Sequence, residues 1–185
     1  ILMNSKKRLT VLAVDLDHTL IDIDMIHYGL KQLLVKKPYL FPALLYTFLI
    51  KGKTYAKKYL YDNSVFEINN IPFNKTLIEY INENKDNYDH ITLISGSYYK
   101  YVQYIADHLQ IFDSAVGTNN KLNMISLNKV IYLNKKFDNP IFDYIGDSRK
   151  DIPIWELCRN ILVVDHGKIT NYISHLNYKI VSKRS

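Results

Sequence analysis

The sequence predicts an α/β fold in which helices cover both faces of a parallel sheet, and three features carry that prediction. Short apolar runs, β-branched in part, recur at residues 9–14, 91–94, 142–145 and 161–164, as in strands buried on both sides. Helix-spaced apolar residues lie between the later runs. Each run also ends in polar residues: Asp15 and Asp17, then Ser95, Asp147 and Asp165.

The elements follow in order. Residues 74–84 place Leu77, Ile78 and Ile81 on one helical face, and residues 98–109 do the same with Tyr101, Val102, Ile105 and Leu109. Further helices are expected over 127–136 and 152–159, the latter with Pro153 in its first turn, where the missing N–H costs nothing. Residues 23–71 break the alternation. They read as three helices, 25–35, 42–50 and 55–61, punctuated by Pro38, Pro42 and Gly52. This segment is expected to form a small helical cap over the strand ends, giving a core of residues 1–21 and 72–185 and a cap of residues 22–71.

Composition bounds the reading. With 48% hydrophobic and 23% charged residues, the chain has an ordinary globular make-up. Its net charge of +6 gathers at Lys6-Lys7-Arg8, Lys51-Gly52-Lys53 with Lys57-Lys58, and Lys183-Arg184. These clusters read as solvated surface, or else as a site for an anionic partner. Nucleic acid is not expected, because no recognition motif accompanies the charge. The single cysteine, Cys158, makes no disulfide framework and fits a reducing, cytoplasmic compartment. The longest apolar stretch, residues 39–50, holds Pro42 and is 12 residues long, against the roughly 20 that a bilayer crossing needs. No signal peptide is recognisable. Both ends look cut, so further sequence beyond residue 185, with membrane association through it, is an expectation; oligomeric state is left open.

Carboxylates at one strand edge repel one another unless a cation sits among them. Ligands of open α/β sheets bind beyond that edge, and hard oxygen ligands with room for water and phosphate suit Mg²⁺. Asp15, Asp17 and Asp147 are thus expected to meet around one divalent ion. Asp151, four residues after Asp147, is read equally as support for that ion and as a helix cap. Asp165 is read as structural. Ser95, with Gly96 and Ser97 after it, serves as cap and ligand together.

These residues resemble the signatures of the haloacid dehalogenase (HAD) superfamily. Asp15-Leu16-Asp17-His18-Thr19 is similar to its Asp-x-Asp-x-Thr motif, Ser95 to its second motif, and Gly146-Asp147-Ser148-Arg149-Lys150-Asp151 to its Gly-Asp-Ser-x-x-Asp motif. The match spans about residues 9–166 and implies a three-layer, Rossmann-like sheet with a C1-type helical cap. In detail the chain looks like the HAD domain found ahead of UbiA-type prenyltransferases. The resemblance implies that Asp15 is a nucleophile forming an aspartyl-phosphate and that Asp17 is the general acid and base. It implies Mg²⁺ held by the Asp15 carboxylate, the Asp17 backbone carbonyl and Asp147, with Thr19, Ser95 and Gly96 at the phosphate. It also implies a lysine beside the nucleophile. Lys129, 18 residues before Asp147, matches the related domains better than Lys121. Ser148 is a further residue near the ion or the substrate. His18 stands where the family often has glycine and is expected to point toward the cap. Tyr98, Tyr99 and Arg149 adjoin the motifs and are candidates to meet a leaving group. The remaining tyrosines, Trp155 and Cys158 read as packing.

Asp17 argues for phosphoryl chemistry, since dehalogenases and phosphonatases of the superfamily lack it. A phosphatase is expected over a phosphomutase, which must exclude water under a larger cap. The expected substrate is a small phosphorylated metabolite or an aryl phosphate, which aromatic residues at the entrance could stack on. A phosphoprotein bearing phosphotyrosine comes second. A lipid-linked phosphate touching residues 39–50 comes third. The competing class is a binding or targeting module of a larger membrane-associated protein that keeps the fold with little turnover.

Overall fold

Along the first strand, β1 (Thr10–Val14), alternate side chains enter two separate cores: Leu12 and Val14 on one face, Val11 and Ala13 on the other. The same alternation splits Leu162 and Val164 from Ile161 and Val163. A sheet buried on both faces follows directly from continuous apolar strands. In the computed structural model, which describes residues 7–183, that sheet has six parallel strands. Besides β1 they are β2 (His90–Tyr98), β3 (Ser114–Thr118), β4 (Ile141–Gly146), β5 (Ile161–Asp165) and β6 (Tyr178–Lys183), in the order β3-β2-β1-β4-β5-β6. Lys6 and Arg184 of the predicted basic clusters lie outside the described residues.

Seven α-helices join the described strands: α1 (Met25–Lys36), α2 (Phe41–Lys51), α3 (Lys53–Asn63), α4 (Lys75–Asn84), α5 (Tyr99–Leu109), α6 (Leu127–Phe137) and α7 (Ile152–Trp155). One core layer joins α4 and α5 to the sheet through Leu77, Ile81, Val102 and Ile105, and the other joins α6 and α7 through Val130, Leu133, Ile154 and Trp155. The architecture is therefore three-layered. Helices α1 to α3 are inserted after β1 and share a small core of Leu33, Leu44, Ala56 and Leu60.

Four departures from the sequence reading have local causes. Strand β2 does not stop at Ile94 but runs on through Ser95 to Tyr98, with its register against β3 shifted between Ile94 and Tyr98. Strand β3, absent from the apolar runs of the sequence, is short and only partly apolar. Strand β6 pairs with β5 at the sheet edge and carries only a weak alternation. Helix α7 ends at Trp155 rather than Arg159, because the following residues turn back to pair with β4: the Arg159 N–H donates to the Phe142 carbonyl at 2.8 Å.

Sheet register sets the site. Val14 stands beside Ile145, and the Asp15 N–H donates to the Ile145 carbonyl at 3.0 Å. The two adjacent central strands therefore finish level, with Asp15 and Asp147 leaving them side by side.

Candidate active site

Beyond the ends of β1, β2 and β4 lies a pocket of about 150 Å³, lined by Asp15, Asp17, Lys57, Lys129, Asp147 and Asp151, among others. On its floor the Lys129 ammonium lies 2.8 Å from Asp15 Oδ1. It also donates to the Tyr144 hydroxyl at 2.6 Å, and that hydroxyl donates to Asp151 Oδ1 at 2.8 Å. Burial alone would pull Lys129 toward neutrality, but the charges of Asp15 and Asp151 hold its pKa above the usual lysine value. Of the two lysine candidates, Lys129 is in the pocket. Lys121 is exposed in the turn after β3, where its backbone N–H donates to Asn119 Oδ1 at 2.8 Å.

Asp15, Asp147 and Asp151 offer carboxylate oxygens that all lie within 4.8 Å of one another. Burial and mutual repulsion push Asp15 up to about 7 and Asp147 up to about 8. Three hard oxygen donors that resist being anions together fit a small divalent cation such as Mg²⁺. Asp151 joins this cluster while also closing a capping box: it accepts from the Ser148 N–H at 3.1 Å and hydroxyl at 3.0 Å. Gly146 leaves room for this arrangement, since a Cβ there would lie 2.7 Å from Asp151 Oδ2.

The Asp17 carboxylate sits apart from the cluster. It accepts from the Met25 N–H at 2.8 Å and from the hydroxyls of Ser95 and Ser97 at 3.1 and 2.7 Å. Burial raises its pKa, and those three bonds only partly offset the rise. Two carboxyls of one motif thus occupy different environments, one paired with a buried cation and one with neutral donors.

The hydroxyls expected at the phosphate are engaged elsewhere. Thr19 is fully buried and donates to Asp147 Oδ1 at 3.1 Å. Ser95 is fully buried, donating to Asp17 and accepting from the Ser97 N–H at 2.9 Å. The pocket wall at this point is formed by Gly96 and Ser97, with Ser148 opposite. Thr19 is further tied to the sheet edge: Asn74 donates to its carbonyl at 3.1 Å, and Ser182 of β6 donates to Asn74 Oδ1 at 3.1 Å.

Other expectations are redirected. His18 adopts a left-handed φ of +57°, the region glycine favours. Its ring lies edge-on to His166 at 6.3 Å, and it lines the pocket together with Asp24 and Ile26 at the start of α1. Asp165 caps Gly167 in a turn and stands outside the carboxylate cluster. Arg149 lies over the Tyr172 ring at 4.4 Å, while Tyr98 and Tyr99 pack with each other and Tyr98 with Tyr61. None of the three lines the pocket at Asp15, and no Phe, Tyr or Trp among the described residues does.

Sequence reasoning missed Lys57, which it counted as solvated surface. From α3 its ammonium reaches the Gly96 carbonyl at 2.6 Å and Asn123 Oδ1 at 2.7 Å. Burial lowers its pKa to about 8. The signal available was position: Lys57 falls one helical turn before Leu60 on the buried face that also holds Ala56. Tyr144 was missed as well, since a tyrosine inside an apolar strand reads as packing.

No family model matches the sequence. The uncharacterized protein y4nM of Sinorhizobium fredii is 30% identical over 158 residues, covering 84% of this chain, which spans only 30% of that protein's length. Among solved structures, a HAD-superfamily hydrolase from Ehrlichia chaffeensis is 25% identical, covers 93% of this chain and 99% of its own, and superposes with a TM-score of 0.52. A protein of unknown function from Bordetella pertussis Tohama I is 11% identical, with coverage of 97% and 99% and a TM-score of 0.70. A predicted phosphoglycolate phosphatase from Haemophilus somnus is 13% identical, with coverage of 96% and 97% and a TM-score of 0.60. The chain thus shares the fold of haloacid dehalogenase superfamily hydrolases, and that fold gathers the residues of the three motifs at one strand edge.

Proposed function

We propose that the chain hydrolyses phosphate monoesters through a covalent intermediate on Asp15. The observation that carries this reading is the 2.8 Å pair of Lys129 and Asp15 on the floor of a pocket that also holds the separately placed Asp17. In the first step an Asp15 carboxylate oxygen attacks phosphorus, the bond to the leaving oxygen breaks, and protonated Asp17 gives that oxygen its proton. In the second step Asp17 takes a proton from water as the water oxygen attacks phosphorus. Inorganic phosphate leaves and the Asp15 carboxylate is restored.

Burial raises the pKa of Asp17 despite its three hydrogen-bond donors, which supports its role as the proton carrier. Lys129 opposes the rise that burial gives the Asp15 pKa and offsets charge as the anionic nucleophile meets an anionic group. Asp15, Asp147 and Asp151 would hold Mg²⁺, and its double charge favours the approach of the two anions. The remaining residues position: Ser95 and Ser97 fix Asp17, Thr19 fixes Asp147, and the Tyr144 hydroxyl spaces Lys129 from Asp151.

Substrate class follows from the pocket's size and lining. A space of about 150 Å³ with Lys57 in its wall, and His18 as the one ring among its described lining residues, supports a small, polar phosphorylated metabolite ahead of an aryl phosphate or a phosphotyrosine side chain. The shared fold of a predicted phosphoglycolate phosphatase leans the same way. A second reading, a binding module within a longer protein, is favoured by the small share of y4nM that the chain spans. Hydrolysis of p-nitrophenyl phosphate with and without Mg²⁺ separates the two. Metal-dependent turnover abolished by Asp15→Asn supports the enzyme; no turnover across aryl and alkyl phosphates supports the module. A comparison of kcat/KM for sugar phosphates, phosphoserine peptides and phosphotyrosine peptides then ranks the substrates.

A further inference from the structure

Charge is distributed unevenly along this chain. Residues 25–61 contain seven of its 24 basic residues and none of its 18 acidic ones, leaving 17 basic against 18 acidic residues elsewhere. The whole net positive charge therefore resides in helices α1 to α3. Lys57 turns into the pocket, whereas Lys31, Lys36, Lys51 and Lys53 are exposed.

The same helices present an uncovered apolar surface. Of the eleven residues of α2, only Leu44 is buried. Leu49 and Ile50 are each 67% exposed and Tyr46 is 60% exposed, with Tyr39 just before the helix at 73%. Apolar patches of this kind on a folded protein mark contact sites. No single helix among the described residues is long and apolar enough to cross a membrane, and α1 is bent by 117° from the helical stretch Pro38–Lys51. An eleven-residue helix rises only about 16 Å, against roughly 30 Å of bilayer hydrocarbon. Such a helix suits the interface plane and not a crossing.

We propose that α2 and the turn before it dock onto an anionic lipid surface. Tyr39, Tyr46, Leu49 and Ile50 enter the headgroup boundary, where amphipathic aromatic rings are favoured. Lys36, Lys51 and Lys53 meet the lipid phosphates, an attraction that falls off within a Debye length of about 8 Å at physiological salt. A second copy of the chain is the poorer occupant, because a two-fold contact sets these lysines against themselves with no carboxylate between residues 25 and 61 to receive them.

Co-sedimentation tests this with vesicles of phosphatidylcholine alone and of equal parts phosphatidylcholine and phosphatidylglycerol. The protein is expected to sediment with the mixed vesicles, to be released by high salt, and to ignore phosphatidylcholine alone. Leu49→Glu with Ile50→Glu should cut binding by about tenfold or more, and Lys51→Glu with Lys53→Glu should do the same through charge alone. Both pairs are exposed, so thermal unfolding should match the parent and exclude misfolding as the cause. Absence of binding to mixed vesicles at low salt, or binding untouched by both pairs, overturns the proposal. So does a dimer in sedimentation velocity that Leu49→Glu with Ile50→Glu converts to monomer.

Discussion

Lys129 and Tyr144, on neighbouring elements α6 and β4, form one buried hydrogen bond of 2.6 Å that aims the lysine ammonium at Asp15, 2.8 Å away. The ammonium has little room to choose another partner, since Lys129 is 3% exposed. Lys129→Met is expected to lower kcat for p-nitrophenyl phosphate by about 10²–10³-fold, the usual cost of removing one preorganised group from developing charge. Lys129→Arg should not restore it, because a planar guanidinium cannot replace a point charge in so closed a space. Steady-state kinetics on the two variants decides.

Mg²⁺ is expected to stabilise the fold. At a hundredfold excess over Kd the gain is about 2.7 kcal/mol, or roughly 5–10 °C in Tm for a chain of this size. Asp147→Asn should act in opposite directions in the two states. It removes a repelling carboxylate and so raises Tm in chelator, while it abolishes most of the Mg²⁺-induced rise. Thermal denaturation with Mg²⁺ and with EDTA reads both effects.

Lys57 titrates near 8 in the folded protein against its ordinary 10.5. Between those values the unfolded chain binds the extra proton, so stability rises with pH across this window. Lys57→Met should flatten that rise, which urea denaturation at pH 7.5, 9 and 10 will register. The same variant should raise KM for a small anionic substrate by about tenfold with a smaller change in kcat, as expected when a group binds substrate without acting on the reacting bond.

Asp143 is a carboxylate inside the sheet. Burial alone would raise its pKa, but Arg159 at 2.8 and 2.7 Å, Tyr88 at 2.8 Å and Asn160 hold it below 3.8. Its stabilising contribution is therefore complete above 3.8 and is lost as pH falls through the lower folded value. Asp143→Ala should cost about 1–2 kcal/mol at pH 7, by leaving the half-buried Tyr88 hydroxyl and the exposed Arg159 fork without their acceptor. The gap from the parent should narrow in acid, measured by denaturant titration at pH 7 and pH 3.

The fold and the site were legible to different depths. Strands such as Thr10–Val14 and Ile161–Asp165 declared themselves because both faces are buried, and their polar endings pointed to one sheet edge. Edge strands Ser114–Thr118 and Tyr178–Lys183 were silent, since one-sided burial leaves short mixed sequences. Asp15, Asp147 and Lys129 lie together at one strand edge, whereas the Asp17 carboxylate, expected beside the same ion, is held by Met25, Ser95 and Ser97. Lys57 did not show, because whether a lysine between two tyrosine-rich turns is solvated depends on what lies beneath its helix. Ser95 and Thr19 were placed at the right level of the sheet, yet the direction of a hydroxyl is settled only by its neighbours, here Asp17 and Asp147.

The Ser182–Asn74–Thr19 connection ends at Asp147, so the outermost strand is linked mechanically to a carboxylate of the site. Peeling away the rim of the sheet, by clipping, tethering or strand exchange, loosens the grip on Asp147 before any central strand parts from its neighbour. Turnover is then the first property to fade, at temperatures where spectroscopy still reports a native protein.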